Sequence, residues 1–468
     1  MRPEPQIALI QPSYRKVYGF KEDISSILPP LNLMYLSSYL KQKGYETKII
    51  DLEIEDEKTL DKILEEDKIK IFGITGVTSL FPVVDYLAKK IKSYNKENIV
   101  IYGGPHASAV KETLFEVSSS IDFIVVGEGE ETLEELVNHF FENKILSSID
   151  GLIYKLKNKI YINKVRKIIQ NLDILPFPDH DSIDYEKYKP SIHRAVGFPF
   201  AVMITSRGCP FKCKYCGTQT VFGESVRFRS VRNIIDEIKY LKEKFKINNV
   251  IFWDDTITLN KQRMIELCEN LKNHNISWSC NTRPDMVDAE LLEKIKEAGC
   301  KMIFYGIESS NEKILEKLGR KMKLKSIENA IKLTKEVGIR CTASMMIGTP
   351  FDTKESIHNN IDYMIKLNPD FAFFSVFAPH PGTLLYNYCV KNKIIPSWKE
   401  WMKMSFNGVP LNHPTACPNF TREEIQKLLE YAYEKFYSRE EFFKEREKKF
   451  NEDWELKILE KLKEKFKK

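Results

Sequence analysis

The chain has 468 residues, 43% hydrophobic and 29% charged, which excludes a wholly disordered or collagen-like protein and allows sizeable cores. Its net charge of +6, from 72 basic and 66 acidic residues, is too small an excess to argue for a nucleic-acid partner. No apolar run approaches the ~20 residues of a membrane-spanning helix, and the start, MRPEPQIALIQP, is too weakly apolar for a signal peptide, so the expected location is cytoplasmic with no transmembrane segment.

Residues 1–145 alternate short apolar runs with helical patterns. Strands are expected at 7–10, 46–50, 71–74, 99–102 and 123–126, with helices near 31–43, 81–95 and 130–141. Such alternation predicts an α/β unit, a doubly wound parallel sheet covered on both faces. Gly103-Gly104-Pro105 and Gly127-Glu128-Gly129 fall just after expected strands, on the loops where such folds hold ligands.

Residues 146–195 read as a connector, with a small hairpin around Lys157-Asn158-Lys159 and the Pro/Asp-rich run Leu175-Pro176-Phe177-Pro178-Asp179-His180-Asp181. A second alternation fills 196–388, with strands expected at 201–205, 249–253, 277–281, 302–306, 340–345 and 370–374 and helices at 230–244, 261–273, 289–298, 324–337 and 354–367. Six β/α units in a row fit a partial or full parallel barrel. Residues 389–468 turn helical and rich in Lys and Glu, with Tyr431, Tyr433, Phe436, Tyr437, Phe442 and Phe443 interleaved. The plain expectation is an amphipathic helix pair over the barrel mouth. Acidic residues alternate with basic ones throughout 434–468, which argues against a nucleic-acid helix.

The sharpest motif is Cys209-Pro210-Phe211-Lys212-Cys213-Lys214-Tyr215-Cys216. With nine cysteines in 468 residues, three at this spacing arise by chance about 0.004 times per chain. Structural zinc or buried structural cysteines are the bland alternatives, but structural zinc usually takes four ligands in two separated pairs. The other six cysteines, Cys268, Cys280, Cys300, Cys341, Cys389 and Cys417, are scattered singly. Three thiolates in one loop suit a [4Fe–4S] cube with one iron left open.

CxxxCxxC directly after the first strand of a β/α barrel is the signature of the radical S-adenosylmethionine (SAM) superfamily, which this segment resembles. The resemblance implies that Cys209, Cys213 and Cys216 hold the cluster, that SAM chelates the fourth iron, and that an electron from a donor such as flavodoxin or ferredoxin cleaves SAM to a 5′-deoxyadenosyl radical. Tyr215 matches the position that packs near the adenine. Trp253-Asp254-Asp255-Thr256, Gly306-Ile307-Glu308-Ser309, Ile347-Gly348-Thr349-Pro350 and Pro379-His380-Pro381-Gly382-Thr383 follow later strands and together resemble the SAM-contacting loops. On that resemblance Asp254, Asp255, Glu308, Ser309 and Gly348 contact SAM. Arg283 either pairs with the SAM carboxylate or makes an ordinary salt bridge.

The amino-terminal motifs narrow the class. Pro29-Pro30-Leu31-Asn32-Leu33-Met34-Tyr35-Leu36, Gly76-Val77-Thr78-Ser79, Gly103-Gly104-Pro105-His106 and Val126-Gly127-Glu128-Gly129-Glu130 resemble the cobalamin-binding domain that precedes some radical SAM barrels. A flat corrin needs small residues and backbone N–H groups, which Thr78, Ser79, Gly103, Gly104, Gly127 and Glu128 would provide. The Asp-x-His-x-x-Gly motif that supplies a lower cobalt ligand in many cobalamin proteins is absent. The lower face is therefore expected to lack a histidine, with Tyr14 or Arg15 covering it. His106 is either a substitute ligand or a loop histidine bonded to backbone or cofactor edge. A domain that kept the fold and lost the cofactor is a further alternative. A dinucleotide site is disfavoured, because no GxGxxG follows the first strand.

The expected protein is thus a cobalamin-binding-like sheet, a radical SAM partial β/α barrel and a helical C-terminal cap, acting on a small-molecule substrate. The resemblance implies methyl transfer to an unactivated carbon. The C-terminal segment loosely resembles the oxidative-cyclase and hopanoid-modifying branch, which keeps cyclisation or skeletal rearrangement open. A non-catalytic cobalamin or redox sensor is the third reading. No residue is singled out as acid, base or nucleophile.

Overall fold

The structure, a computed structural model, describes residues 6–13, 26–405 and 414–466. The first sheet contains β1 (Ile7–Gln11), β2 (Thr47–Asp51), β3 (Ile71–Thr75), β4 (Ile99–Gly103) and β5 (Phe123–Val125), all parallel, in the order β2-β1-β3-β4-β5. β1, β3 and β4 are near-continuous apolar runs because helices Leu31–Gln42, Phe81–Tyr94 and Glu130–Glu142 cover both faces. The chain leaves β1 for one side and β3 for the other, so their exit loops diverge and open a crevice at the strand C-termini. Helix Lys58–Glu66 was not expected; it is short and buries only Leu60, Ile63 and Leu64. The hairpin expected in the connector, β6 (Leu152–Leu156) and β7 (Lys159–Ile162), pairs antiparallel to β5 and extends this sheet past residue 145.

The second sheet is entirely parallel. β8 (Phe200–Met203) leads into the short β9 (Ser206–Arg207), which pairs with β10 (Arg227–Phe228) around the cysteine loop. β11 (Asn249–Phe252), β12 (Ser277–Thr282), β13 (Cys300–Glu308), β14 (Arg340–Ile347) and β15 (Phe371–Val376) come next, giving the order β8-β11-β12-β13-β14-β15. The two end strands do not pair with each other, so the barrel is partial. The end of the connector shows how far it curls. The Arg194 carbonyl accepts from Ser279 on β12, its side chain meets Phe304 on β13, the His193 carbonyl accepts from Thr342 on β14, and the His193 ring meets Phe373 on β15. Two adjacent residues reach four consecutive strands only if the sheet wraps around them.

The C-terminal helices do not sit over the mouth. Helix Trp398–Ser405 docks on the first domain, where Trp398 and Trp401 join the core beneath Phe81 and Lys399 pairs with Glu116. Helix Arg422–Tyr437 runs along β15, where the Tyr433 hydroxyl bonds Phe374 N and O and the Tyr437 hydroxyl bonds Ala372 N and O. The interleaved tyrosines thus satisfy the backbone groups of an edge strand that would otherwise be free to pair.

Candidate active site

A cavity of about 720 Å³ lies between the strand C-termini of the two domains. One wall combines glycine backbone with apolar side chains, among them Leu9, Ile101, Val125 and Leu133. Gly73, Gly76, Gly103, Gly104, Gly127 and Gly129 line it, together with Thr75, the segment 26–30 and the start of helix Leu31–Gln42. Gly104 is at φ +100, and a Cβ there would lie 2.9 Å from Thr75 Oγ1, so no side chain fits. At Gly103 a Cβ would meet only Val125, at 3.7 Å; this position is small but not strained.

The opposite wall carries charge. It includes Ser206, Arg207, Val221, Phe222, Trp253, Asp254 and Asp255. The cysteine loop 209–216 runs between two of these stretches, 206–207 and 221–222. Of the aspartate pair, Asp254 is buried and fully used: it accepts from Thr205 N (3.1 Å), the Thr205 hydroxyl (2.9 Å) and the Ser206 hydroxyl (2.5 Å), tying the loop after β8 to that after β11. Asp255 is the open member. It accepts from the Thr218 hydroxyl (2.9 Å), which itself bonds Cys216 Sγ (3.3 Å). Its side chain is exposed where it lines the cavity, and desolvation by the protein around it raises its pKa to about 6.

The cysteine loop is braced by residues that the sequence did not single out. The Lys214 amide donates to the Leu318 carbonyl (2.9 Å), and a Cβ on Gly319 would collide with the Lys212 carbonyl, so only glycine allows this approach. Arg320 donates to the Tyr215 hydroxyl (3.2 Å) and the Gly306 carbonyl and lies 4.0 Å from Cys213 Sγ. Glu308 belongs to the same group; burial raises its pKa, opposed by Arg320 and Tyr215. It holds φ at +73, a costly conformation for a residue with a Cβ and one that clusters at functional sites. The sign available in the sequence was Leu318-Gly319-Arg320, which carried no spacing rule.

Several expected cofactor contacts sit elsewhere. Thr78, Ser79 and His106 are buried and do not line the cavity. His106 bonds Thr78 Oγ1 (3.0 Å) and packs against Phe81 and Trp398, and burial beside His380 lowers its pKa to about 3. It is a neutral core histidine. Among the described residues no histidine lines the cavity; Tyr14 and Arg15 lie outside those residues. Glu128 reaches the cavity edge, but its carboxylate is committed to Arg207 (2.9 Å), Arg227 (2.7 Å) and the Ile169 amide (2.9 Å). Glu130 pairs with Arg207 as well (2.6 Å). This buried bridge locks the glycine loop to the segment before the first cysteine, and losing one member of such a pair costs about 3–5 kcal/mol. Arg283 makes the ordinary salt bridge: it pairs with Asp285 through two bonds (2.9 and 2.7 Å) and lies over Phe211 in the cysteine loop. Ser309 is a turn residue, bonded to Asn360 Oδ1 and the Asn311 amide. Gly348 is buried, and a Cβ there would lie 3.0 Å from Ile425 of the C-terminal helix.

The residues present fit the implied groups. All three cysteines are free and at least partly exposed. Among the described residues no His, Cys, Asp or Glu side chains converge as a single-ion site. A four-iron cube offers separate irons to separate thiolates, so thiols spread along one loop suit a cluster better than a lone zinc. At Gly104 the space a Cβ would need is filled by Thr75 and Gly76, so the chain packs close along this wall and leaves the cavity beside it open for a flat macrocycle. Among the described residues no helix is long and apolar enough to cross a membrane.

Comparison with known proteins agrees. The Radical SAM superfamily model matches residues 203–364, and the B12 binding domain model matches residues 21–137. An uncharacterized methyltransferase of Pyrococcus horikoshii is 35% identical over 425 residues, 90% of each chain. The anaerobic magnesium-protoporphyrin IX monomethyl ester cyclase of Cereibacter sphaeroides is 27% identical over 451 residues, covering 94% of this chain and 71% of the relative. Among solved structures, the cobalamin-dependent S-adenosylmethionine radical enzyme OxsB superposes with a TM-score of 0.72 at 17% identity, over 98% of this chain and 71% of that one. The radical S-adenosylmethionine methyltransferase TsrM of Kitasatospora setae gives a TM-score of 0.69 at 19% identity, over 82% and 76%. The chain belongs to the cobalamin-dependent radical SAM enzymes, whose cofactors are a [4Fe–4S] cluster, S-adenosylmethionine and cobalamin.

Proposed function

We propose that this enzyme takes hydrogen from an unactivated carbon of a small-molecule substrate and places a methyl group there. The observation that carries the reading is one cavity bounded by both a glycine wall and the segments flanking the cysteine loop. When bound, the cluster and SAM supply hydrogen abstraction and cobalamin supplies the methyl group. In this reading residues 1–145, extended by the hairpin, hold the corrin, 146–195 connect, 196–388 hold cluster and SAM, and 389–468 brace both. Cys209, Cys213 and Cys216 are the cluster ligands. Tyr215, Glu308 and Arg320 fix the loop that presents them, and Asp255 accepts from the hydroxyl or ammonium groups of SAM. Gly103, Gly104 and Gly127 admit the corrin, with no histidine beneath it. The Glu128–Arg207 bridge sets the spacing of the two walls. A one-electron donor such as flavodoxin or ferredoxin completes the system.

Ring closure is the second reading, favoured by a cyclase relative that matches 94% of this chain. One experiment separates the two. The anaerobically reconstituted protein is incubated with SAM, reductant and the small-molecule fraction of a cell extract, and both nucleoside products are quantified. Equal yields of 5′-deoxyadenosine and S-adenosylhomocysteine are expected for methyl transfer. 5′-Deoxyadenosine alone would overturn it and leave cyclisation.

A further inference from the structure

Residues 191–196 thread the half-barrel, and Arg194 is the only formally charged side chain among them. Its carbonyl accepts from Ser279 Oγ (2.9 Å) in the middle of β12, whereas its Nε donates to Asn281 Oδ1 (3.1 Å), two residues further along the same strand. The side chain therefore climbs toward the strand C-termini, where the cavity lies. Its Cζ is 3.9 Å from the ring centre of Phe304 and 4.6 Å from that of Trp253, itself a cavity-wall residue.

What Arg194 lacks is a counter-charge. Arg207, Arg227, Arg229, Arg283 and Arg340 each meet a carboxylate within hydrogen-bond distance. Among the described residues Arg194 meets none within 4 Å. Asp254, on the neighbouring acidic loop, turns its backbone carbonyl toward Asn281 and spends its carboxylate on Thr205 and Ser206. Burial lowers the pKa of Arg194 to about 10 and that of neighbouring His193 to about 3, which leaves the arginine charged and the histidine neutral at pH 7. A cation taken out of water is expensive unless something answers it. With Nε committed and two rings against the guanidinium, the groups left for a ligand are Nη1 and Nη2, a fork that matches two oxygens of one oxyanion.

We propose that Arg194 anchors an anionic group of the substrate, a carboxylate or a phosphoryl group, in the barrel lumen beneath the cavity, with the body of the molecule against Trp253 and Phe304. The inference rests on reading the cavity as the active site and adds the charge class of what enters it.

The test needs no turnover. Full-length reconstituted protein is titrated with benzoate, phenyl phosphate and the neutral isostere benzamide, followed by tryptophan emission and thermal shift. A response to benzoate identifies a carboxylate site, and a response to phenyl phosphate identifies a phosphoryl site. Benzamide should give neither response. Arg194→Gln should raise the anion dissociation constant at least tenfold, with the SAM dissociation constant moving less than twofold. Trp253→Phe should remove the emission change and keep the thermal shift, which locates the site even where Arg194→Gln folds poorly. Equal response to anion and amide, unchanged anion binding in Arg194→Gln, or loss of SAM binding in its place would each overturn the proposal. Failure of the wild-type protein to cleave SAM would refute the functional reading instead and would leave this titration readable.

Discussion

The two walls of the cavity are built on the same topological rule and from opposite materials. Each stands on loops at the C-terminal ends of parallel strands. On the amino-terminal side those loops end in glycines set among apolar side chains, and their chemistry is backbone and apolar surface. On the barrel side they bring Arg207, Asp254 and Asp255 to the cavity, with the three cysteines on the loop between the lining segments 206–207 and 221–222, and their chemistry is charge and sulfur. A large flat cofactor is held by removing side chains; a small charged one and a metal cluster are held by adding them. The fold alone does not distinguish the two sites. The difference lies in the residue types placed on the loop after each strand.

The sharpest way to break this contrast is to strip the sulfur from one wall. Changing Cys209, Cys213 and Cys216 together to Ala should remove all cluster iron and all 5′-deoxyadenosine formation, while cobalamin is still retained. Near-full iron content would place the cluster elsewhere. The complementary change fills the other wall. At Gly103 a Cβ would be unstrained and in ordinary contact with Val125 (3.7 Å), itself a cavity residue, so Gly103→Phe should cut bound cobalamin at least tenfold with iron content unchanged. Retention of cobalamin at wild-type stoichiometry would mean that the glycine wall is not its seat. The smallest effect lies behind both walls. Asp51, at the end of β2, is 2% exposed, and burial pushes its pKa up to about 6 despite a bond from the Tyr188 hydroxyl (3.0 Å). An unfolded aspartate titrates near 3.9. Between about pH 4 and 6 the folded state therefore binds more protons, and this residue's contribution to stability falls as pH rises through that window. Asp51→Asn should remove about 2–3 kcal/mol of that decline, read as the difference between the two proteins' denaturation profiles. Parallel profiles would show that Asp51 is ionised throughout.

Much of this was legible in local spacing. The cysteine loop and the Gly103-Gly104 and Gly127 turns announce themselves because their chemistry depends on near neighbours in the chain. The unread residues depend on partners far away: Arg207 meets Glu128 across 79 positions, Arg320 meets Tyr215 across 105, and Arg194 meets Asn281 across 87. An arginine carries no mark of whether it will be paired, bridging or alone. The same reason explains His106 and Glu128. Their motifs placed them on the right loop, but which way each side chain turns is decided by Trp398 and by Arg207, which arrive from other domains. The C-terminal tyrosines were visible as a pattern, and their role as an edge cover was not, because it is set by which strand of the barrel remains unpaired.

The central claim is that cobalamin and the cluster share one cavity. Paramagnetic resonance of the reconstituted protein in the Co(II) state, recorded before and after reduction of the cluster, tests it directly. A shared cavity predicts a Co(II) signal without nitrogen superhyperfine splitting that broadens or splits once the cluster is reduced. A Co(II) signal identical in both states, or cobalamin that is not retained at all, would contradict it.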